Sequence, residues 1–115
     1  MKESELLTYC LRLLSAFSIF AWRNNNMGVR RERNGKAFYT FNGTRGVADI
    51  IAVHPKNGKI ICIECKAEGK LKNKSPEQKD FQEQIEKSGG YYFLIDSYDM
   101  LIKKLEENKI YEVKV

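Results

Sequence analysis

The sequence predicts an α/β fold, a mixed β-sheet flanked by helices, from three observations. Apolar residues recur at helical spacing near the N-terminus and again after Ser75 and Ser97. The runs "VADIIAV", "KIICIECK" and "YYFLID" are apolar almost throughout, as strands covered on both faces are. The two kinds of segment interleave along the chain, the order α-β-β-β-β-α-β-α-β, which implies a sheet with helices packed on it. A chain of 115 residues fits one domain, 1–115, around a single core.

Taken in order, Leu6, Leu7, Cys10, Leu13, Leu14 and Phe17 fall on one helical stripe, so residues 3–16 read as an amphipathic helix. "FSIFAWR" reads as a strand. "NNNMGVRRERNGK" is polar and basic without periodicity and reads as a loop, followed by a short aromatic strand "AFYTF" and a turn at "NGTRG". "VADIIAV" and "KIICIECK" flank "HPKNGK", whose Asn57 and Gly58 suit a type I′ turn, so these strands should be adjacent and antiparallel. Ser75, Pro76 and Gln78 form a capping box with proline at the first helical position, and Gly89 and Gly90 stop that helix. "YYFLID" is the next strand, "SYDMLIKKLEEN" a second capped helix and "KIYEVKV" a last strand.

Twenty Lys+Arg against fifteen Asp+Glu leave a net charge of +5, compatible with a polyanionic partner and common among soluble domains. The sequence offers neither an apolar run long enough to span a bilayer nor a secretory signal pattern, so a cytoplasmic protein is expected. Three cysteines, odd and few, agree with a compartment where thiols stay reduced.

The stretch "IICIECKAEGK" holds two competing signals. Cys62 and Cys65 have the spacing of a zinc or redox pair, and Glu64 and Lys66 place an acid and a base in an apolar run. Side chains two apart in a strand share a face and those three apart do not. The two sulfurs should therefore point to opposite faces, and no second Cys or His pair exists to complete a tetrahedral site. Glu64 and Lys66 share a face, either as a structural ion pair or as part of a site. Asp49 interrupts the neighbouring strand in the same way. Two carboxylates converging in a low-dielectric cleft repel each other, and a divalent cation relieves that repulsion while using both as oxygen ligands. Glu3 lies on the stripe of Leu6, Leu7, Cys10 and Leu14 and faces the sheet, whereas Glu5 lies roughly 200° away, counted around the helix, and should be solvated. Gln78 shares an inward face with Phe81, Gln82 and Ile85, open to a role in the cap or in the site.

"RNNNMG", "GTRGVADIIAV", "IICIECKAEGK" and "SPEQKDFQEQIEKSGGYYFLIDS" resemble the virus-type replication-repair nuclease (VRR-NUC) domain of the PD-(D/E)XK nuclease superfamily, over Glu3 to about Ser97. The resemblance implies a restriction-endonuclease-like core and Mg²⁺ or Mn²⁺ bound by Asp49, Glu64 and the Cys65 carbonyl. It implies further that Lys66 orients or helps deprotonate the attacking water, that Glu3 holds water on the metal, and that Gln78 positions the lysine or the scissile phosphate. Ala48 stands where the superfamily often has proline, a position that supplies no ligand.

His54 is the one histidine and precedes Pro55, so it reads as a surface turn residue and a histidine-based site is disfavoured. Arg30, Arg31, Arg33, Lys36 and Arg45, and Lys70, Lys72, Lys74 and Lys79, bracket the site in sequence. They are either solvated faces or contacts to DNA phosphates, which position a duplex without reading it. The function expected is a metal-dependent DNA endonuclease acting on branched DNA, a Holliday-junction-resolving homodimer of a bacterial or phage-infected cell. Trp22, Phe38, Tyr39 and Phe41 are candidates for the dimer contact. The alternatives are a flap or restriction-type endonuclease, and a DNA-binding module that keeps the fold without cutting.

Overall fold

A computed structural model describes residues 1–24, 29–40 and 44–111, with the side chains of all of these except Val29, Arg30, Tyr39 and Thr40. The elements are α1 (Glu3–Ala16), β1 (Ala21–Arg23), β2 (Val29–Arg33), β3 (Lys36–Thr40), β4 (Ile50–Val53), β5 (Ile60–Cys65), α2 (Pro76–Lys87), β6 (Tyr91–Ile95) and α3 (Tyr98–Glu107). The fold is mixed α/β. A four-stranded sheet runs β1-β4-β5-β6, and β2 and β3 form a separate hairpin. Antiparallel pairing joins β1 to β4 and β4 to β5, and β6 runs parallel to β5, with Glu64 opposite Leu94. A parallel pair needs a crossover connection, and α2 supplies it.

The two faces of the sheet are covered unequally. Leu6, Cys10, Leu13 and Leu14 of α1 and Leu101 and Leu105 of α3 pack with Ile61, Ile63, Cys65, Phe93 and Ile95 into the main core. On the other face Ala48, Ile51 and Cys62 meet Phe81 and Ile85 of α2 and the ring of Tyr92. The alternation along β5 therefore sends Ile61, Ile63 and Cys65 one way and Cys62 the other, as strand parity requires. Among the described residues no helix is long and apolar enough to cross a membrane.

All three helices end alike. The residue after each C-cap is Ser18, Gly89 or Lys109, each at positive φ, and the next amide returns to the helix: Ile19 to the Leu14 carbonyl, Gly90 to Ile85, and Ile110 to Leu105, each at 2.9 Å. These are Schellman closures, two of them built without glycine.

Four sequence expectations are corrected. The basic stretch after Met27 is not wholly a loop, because Val29–Arg33 pairs with Lys36–Thr40. Asn34 and Gly35, both at positive φ, make the two-residue hairpin turn there. The turn between β4 and β5 is not type I′, since only Gly58 has positive φ and the Gly58 amide donates to the His54 carbonyl at 2.9 Å across a longer loop. Lys109 to Tyr111 belong to the α3 closure and not to a strand, and residues 112–115 lie outside the described residues. The strand expected over 17–23 is shorter, because Phe17 to Ile19 close α1.

Candidate functional site

Asp49 sits just before β4, where the Asn24 amide donates to its carbonyl at 2.8 Å and ties it to the end of β1. Its carboxylate is held from the other side, with Oδ2 accepting from the Cys65 amide at 2.9 Å. Antiparallel pairing of β4 and β5 thus places Asp49 at the end of β5 where Glu64 stands. Glu64 occupies the α2 side of a strand whose neighbours Ile63 and Cys65 face the main core, and it is only 3% exposed. α1 contributes its first residue: ligand oxygens of Glu3, Asp49 and Glu64 lie within 4.8 Å of one another. Glu3 is itself exposed, so the cluster opens to solvent on the helix side.

Burial, then the neighbouring Asp49, push the Glu64 carboxyl up to about 9; Lys66 works against the shift and Glu3 adds to it. Glu64 Oε2 is buried with no hydrogen-bond partner among the described residues. An orphan buried carboxylate oxygen beside two further carboxylates is a costly arrangement for an apolar core and a suitable one for a hard divalent cation, which takes oxygen ligands. The donor set fits such an ion.

Lys66 follows β5, its amide donating to the Ile95 carbonyl at 2.8 Å. Its Nζ donates to Gln78 Oε1 at 3.1 Å. That same oxygen accepts from the Ser75 amide at 3.0 Å, and the Gln78 amide donates to Ser75 Oγ at 3.1 Å. Gln78 therefore completes the α2 capping box expected of it and braces the lysine at once.

The approach of α2 depends on Gly46, a residue the sequence reading passed over as part of a turn. Its φ is +76°, and a Cβ there would run into the Glu77 carbonyl and lie 2.7 Å from the Gln78 nitrogen. Only glycine lets the Thr44–Val47 segment lie against the first turn of α2. Between them opens a cleft of about 400 Å³ lined by Thr44, Arg45, Val47, Ser75, Glu77 and Gln78.

The cysteines divide as parity expects. Cys62 packs with Ala48 and Ile51, and Cys65 lies in the main core, where it meets the Cys10 thiol. Neither sulfur belongs to the carboxylate cluster. His54 is not a surface residue: it is 4% exposed, its Nδ1 accepts from the Lys56 amide at 3.1 Å, and its ring lies 5.6 Å from that of Tyr91. Burial, with Lys56 and Lys59 nearby, lowers its pKa. The turn residue is drawn inward because it continues the β4–β5 ladder, its amide donating to the Lys59 carbonyl at 2.8 Å.

Of the basic residues, Arg31, Arg33 and Lys36 are exposed on the β2–β3 hairpin, and the Arg30 side chain lies outside the description. Arg45 is exposed on the cleft, and Lys70, Lys72 and Lys79 are exposed elsewhere; Lys74 is half-buried. Trp22 and Phe38 are exposed, and the Tyr39 side chain and Phe41 lie outside the described residues. Comparison with protein-family models, curated proteins and solved structures found no match.

Proposed function

We propose that the chain is a metal-dependent DNA endonuclease of the VRR-NUC type, on a restriction-endonuclease-like core, that cuts branched DNA such as four-way junctions. The observation that carries the reading is the convergence of Glu3, Asp49 and Glu64 beside a lysine braced by Gln78. A non-cutting DNA-binding module on this fold gains nothing from burying Glu64 with an unsatisfied oxygen.

Asp49 and Glu64, with the Cys65 carbonyl, would hold Mg²⁺ or Mn²⁺, and Glu3 would hold water beside it. The ion, when bound, supplies Lewis-acid stabilisation of the phosphate and lowers the pKa of water. Asp49 is already oriented for that task by the Cys65 amide. Lys66 brings a fixed positive charge to where negative charge grows on the phosphate as the P–O bond breaks, and Gln78 holds it there without neutralising it. Exposed Arg31, Arg33, Lys36, Arg45, Lys70, Lys72 and Lys79, and Arg30 with them, would contact phosphates along the duplex. The protein would act in the cytoplasm as a homodimer.

The test is a nicking assay with Mg²⁺ and with Mn²⁺ on four-way, flap and linear duplex DNA. Cutting confined to four-way DNA supports the reading. Preference for flaps or linear duplex keeps the chemistry and changes the substrate. Normal turnover by a folded Asp49→Ala protein would falsify the assignment of the site.

A further inference from the structure

Lys74 is a cation of the α2 side whose placement the carboxylate cluster does not explain. It precedes the N-cap Ser75, it is half-buried, and its Nζ stands 4.7 Å from the centroid of the Tyr92 ring. The ring is a firm seat. Tyr92 lies opposite Cys62 in the β5–β6 register, and Phe81 meets it edge-on with centroids 6.3 Å apart. A lysine resting on an aromatic face is fixed without spending its three N–H donors on a carboxylate.

Lys74 is tied to the reaction centre through the next residue, Ser75, whose amide donates to the same Gln78 oxygen that accepts from Lys66. Burial lowers its pKa, and the charges acting on it after burial are Glu86, Lys79, Glu64 and Lys66. It therefore stands in the field of both the metal-competent cluster and the braced lysine. Lys79 and Lys66 both disfavour the Lys74 charge, and an anion bound beside them removes that repulsion, the mirror image of what a cation does for the three carboxylates. The Tyr92 hydroxyl is also buried without a hydrogen-bond partner among the described residues, so the ring is held here by packing and by the lysine rather than by its own polar end.

We propose that Lys74, seated on the Tyr92 ring, grips a phosphate of the nucleic-acid strand next to the phosphodiester that Lys66 faces. The inference rests on the nuclease reading of the preceding section. It separates Lys74 from the exposed basic residues, because this one is seated on an aromatic ring before the substrate arrives.

The test is steady-state cleavage of the preferred DNA in Mg²⁺, with fluorescence anisotropy of the same DNA in Ca²⁺ as a readout of binding. Lys74→Gln should raise KM and Kd by about tenfold with a far smaller change in kcat, the signature of lost substrate binding. Lys103→Gln removes the same charge from α3, on the opposite face of the sheet, and should change either constant less than about twofold. Tyr92→Phe keeps the seat and should behave as wild type, whereas Tyr92→Leu should reproduce the Lys74→Gln loss, with no further loss when the two are combined. If Tyr92→Leu does not fold, the Lys74→Gln and Lys103→Gln comparison decides alone. A Lys74→Gln protein that cuts with wild-type KM, while Asp49→Ala is inactive, overturns this inference and leaves the nuclease reading standing. Wild-type protein that neither binds nor cuts DNA overturns both.

Discussion

Burial and Asp49 hold the Glu64 carboxyl near 9, well above the ordinary carboxylate range, and this fixes how the metal-free protein responds to pH. A carboxyl with a raised folded-state pKa binds more protons folded than unfolded between its two pKa values, so its contribution is fully present below about 4.5 and is lost as pH rises toward 9. Glu64→Gln removes that titration. The variant should be more stable than wild type at pH 8 without metal, by about 1–3 kcal/mol in urea unfolding, and should lose cutting by about a thousandfold or more. Equal or lower stability of the variant at that pH would show that the carboxylate is not strained. His54 has the opposite sign. Its pKa is lowered, so its contribution is present above about 6.5 and fades as pH falls below that value. In the Glu64→Gln background, unfolding between pH 7 and 5 should therefore show stability falling with acid, and His54→Gln should flatten that slope. Cys62 is the neutral case: Cys62→Ala should cost about 1 kcal/mol and leave cleavage and metal content unchanged. At this scale the positions of Asp49 and Glu64 were legible because carboxylates inside apolar runs are conspicuous, that of Lys66 because strand parity puts it on the face of Glu64, and that of Glu3 because it lies on the apolar stripe of its helix. His54 was not, because its burial comes from the ladder with Lys59 across a loop whose geometry Pro55, Lys56, Asn57 and Gly58 do not reveal.

The element scale turns on how segments end. α1 and α3 close through Ser18 and Lys109, residues with a Cβ held at φ 57° and 56°. Glycine there would relieve the left-handed strain, so Ser18→Gly and Lys109→Gly should each stabilise the protein by about 0.5–1 kcal/mol after the added freedom of the unfolded chain is counted. Thermal unfolding checks it; a lowered midpoint for both would mean that the side chains contribute more than the backbone strain costs. Gly46→Ala should do the reverse, pushing the Thr44–Val47 segment off the first turn of α2 and weakening cleavage together with stability. These closures mark the limit of the sequence reading. Ser75, Pro76, Gln78 and Gly89 announce α2 at both ends, whereas lysine at position 109 carries no stop signal, and the β-branched residues after it read as a strand. The β2–β3 hairpin shows the converse: Asn34-Gly35 is a strong turn signal, but the flanking arginines have weak strand propensity and lack an alternating pattern, so the charge obscured the hairpin.

The unequal cover of the sheet leaves an apolar surface at the scale of the whole molecule. α2 has no fully buried residue, and its layer reaches Ile51, Cys62 and Tyr92. Beyond it, at the β1 edge of the sheet, Trp22 stands opposite Ile51, and Phe20 lies beside it with ring centroids 5.3 Å apart. Phe20 is 71% and Trp22 44% exposed. Exposed aromatic pairs on an edge strand are costly in a monomer and common at contacts between subunits. The proposed substrate supplies the reason for a second copy. Separating a four-way junction requires two cuts placed symmetrically, each chain offers one carboxylate cluster among its described residues, and a two-fold homodimer matches two-fold DNA. A dimer of useful stability buries about 1,200–2,000 Å² in total, and the Phe20–Trp22 surface offers a centre for such a patch, with the exposed hairpin residue Phe38 a second candidate. Sedimentation at micromolar concentration should find a dimer in wild type and a monomer in Phe20→Glu/Trp22→Glu. Because Phe20 is largely and Trp22 nearly half solvated, the double variant should fold, nick a single strand and lose paired nicking. Wild type that sediments as a strict monomer and still resolves junctions by paired cuts would sink the symmetry argument. A monomer that cuts flaps alone would move the substrate to asymmetric branches, where one cluster per DNA suffices.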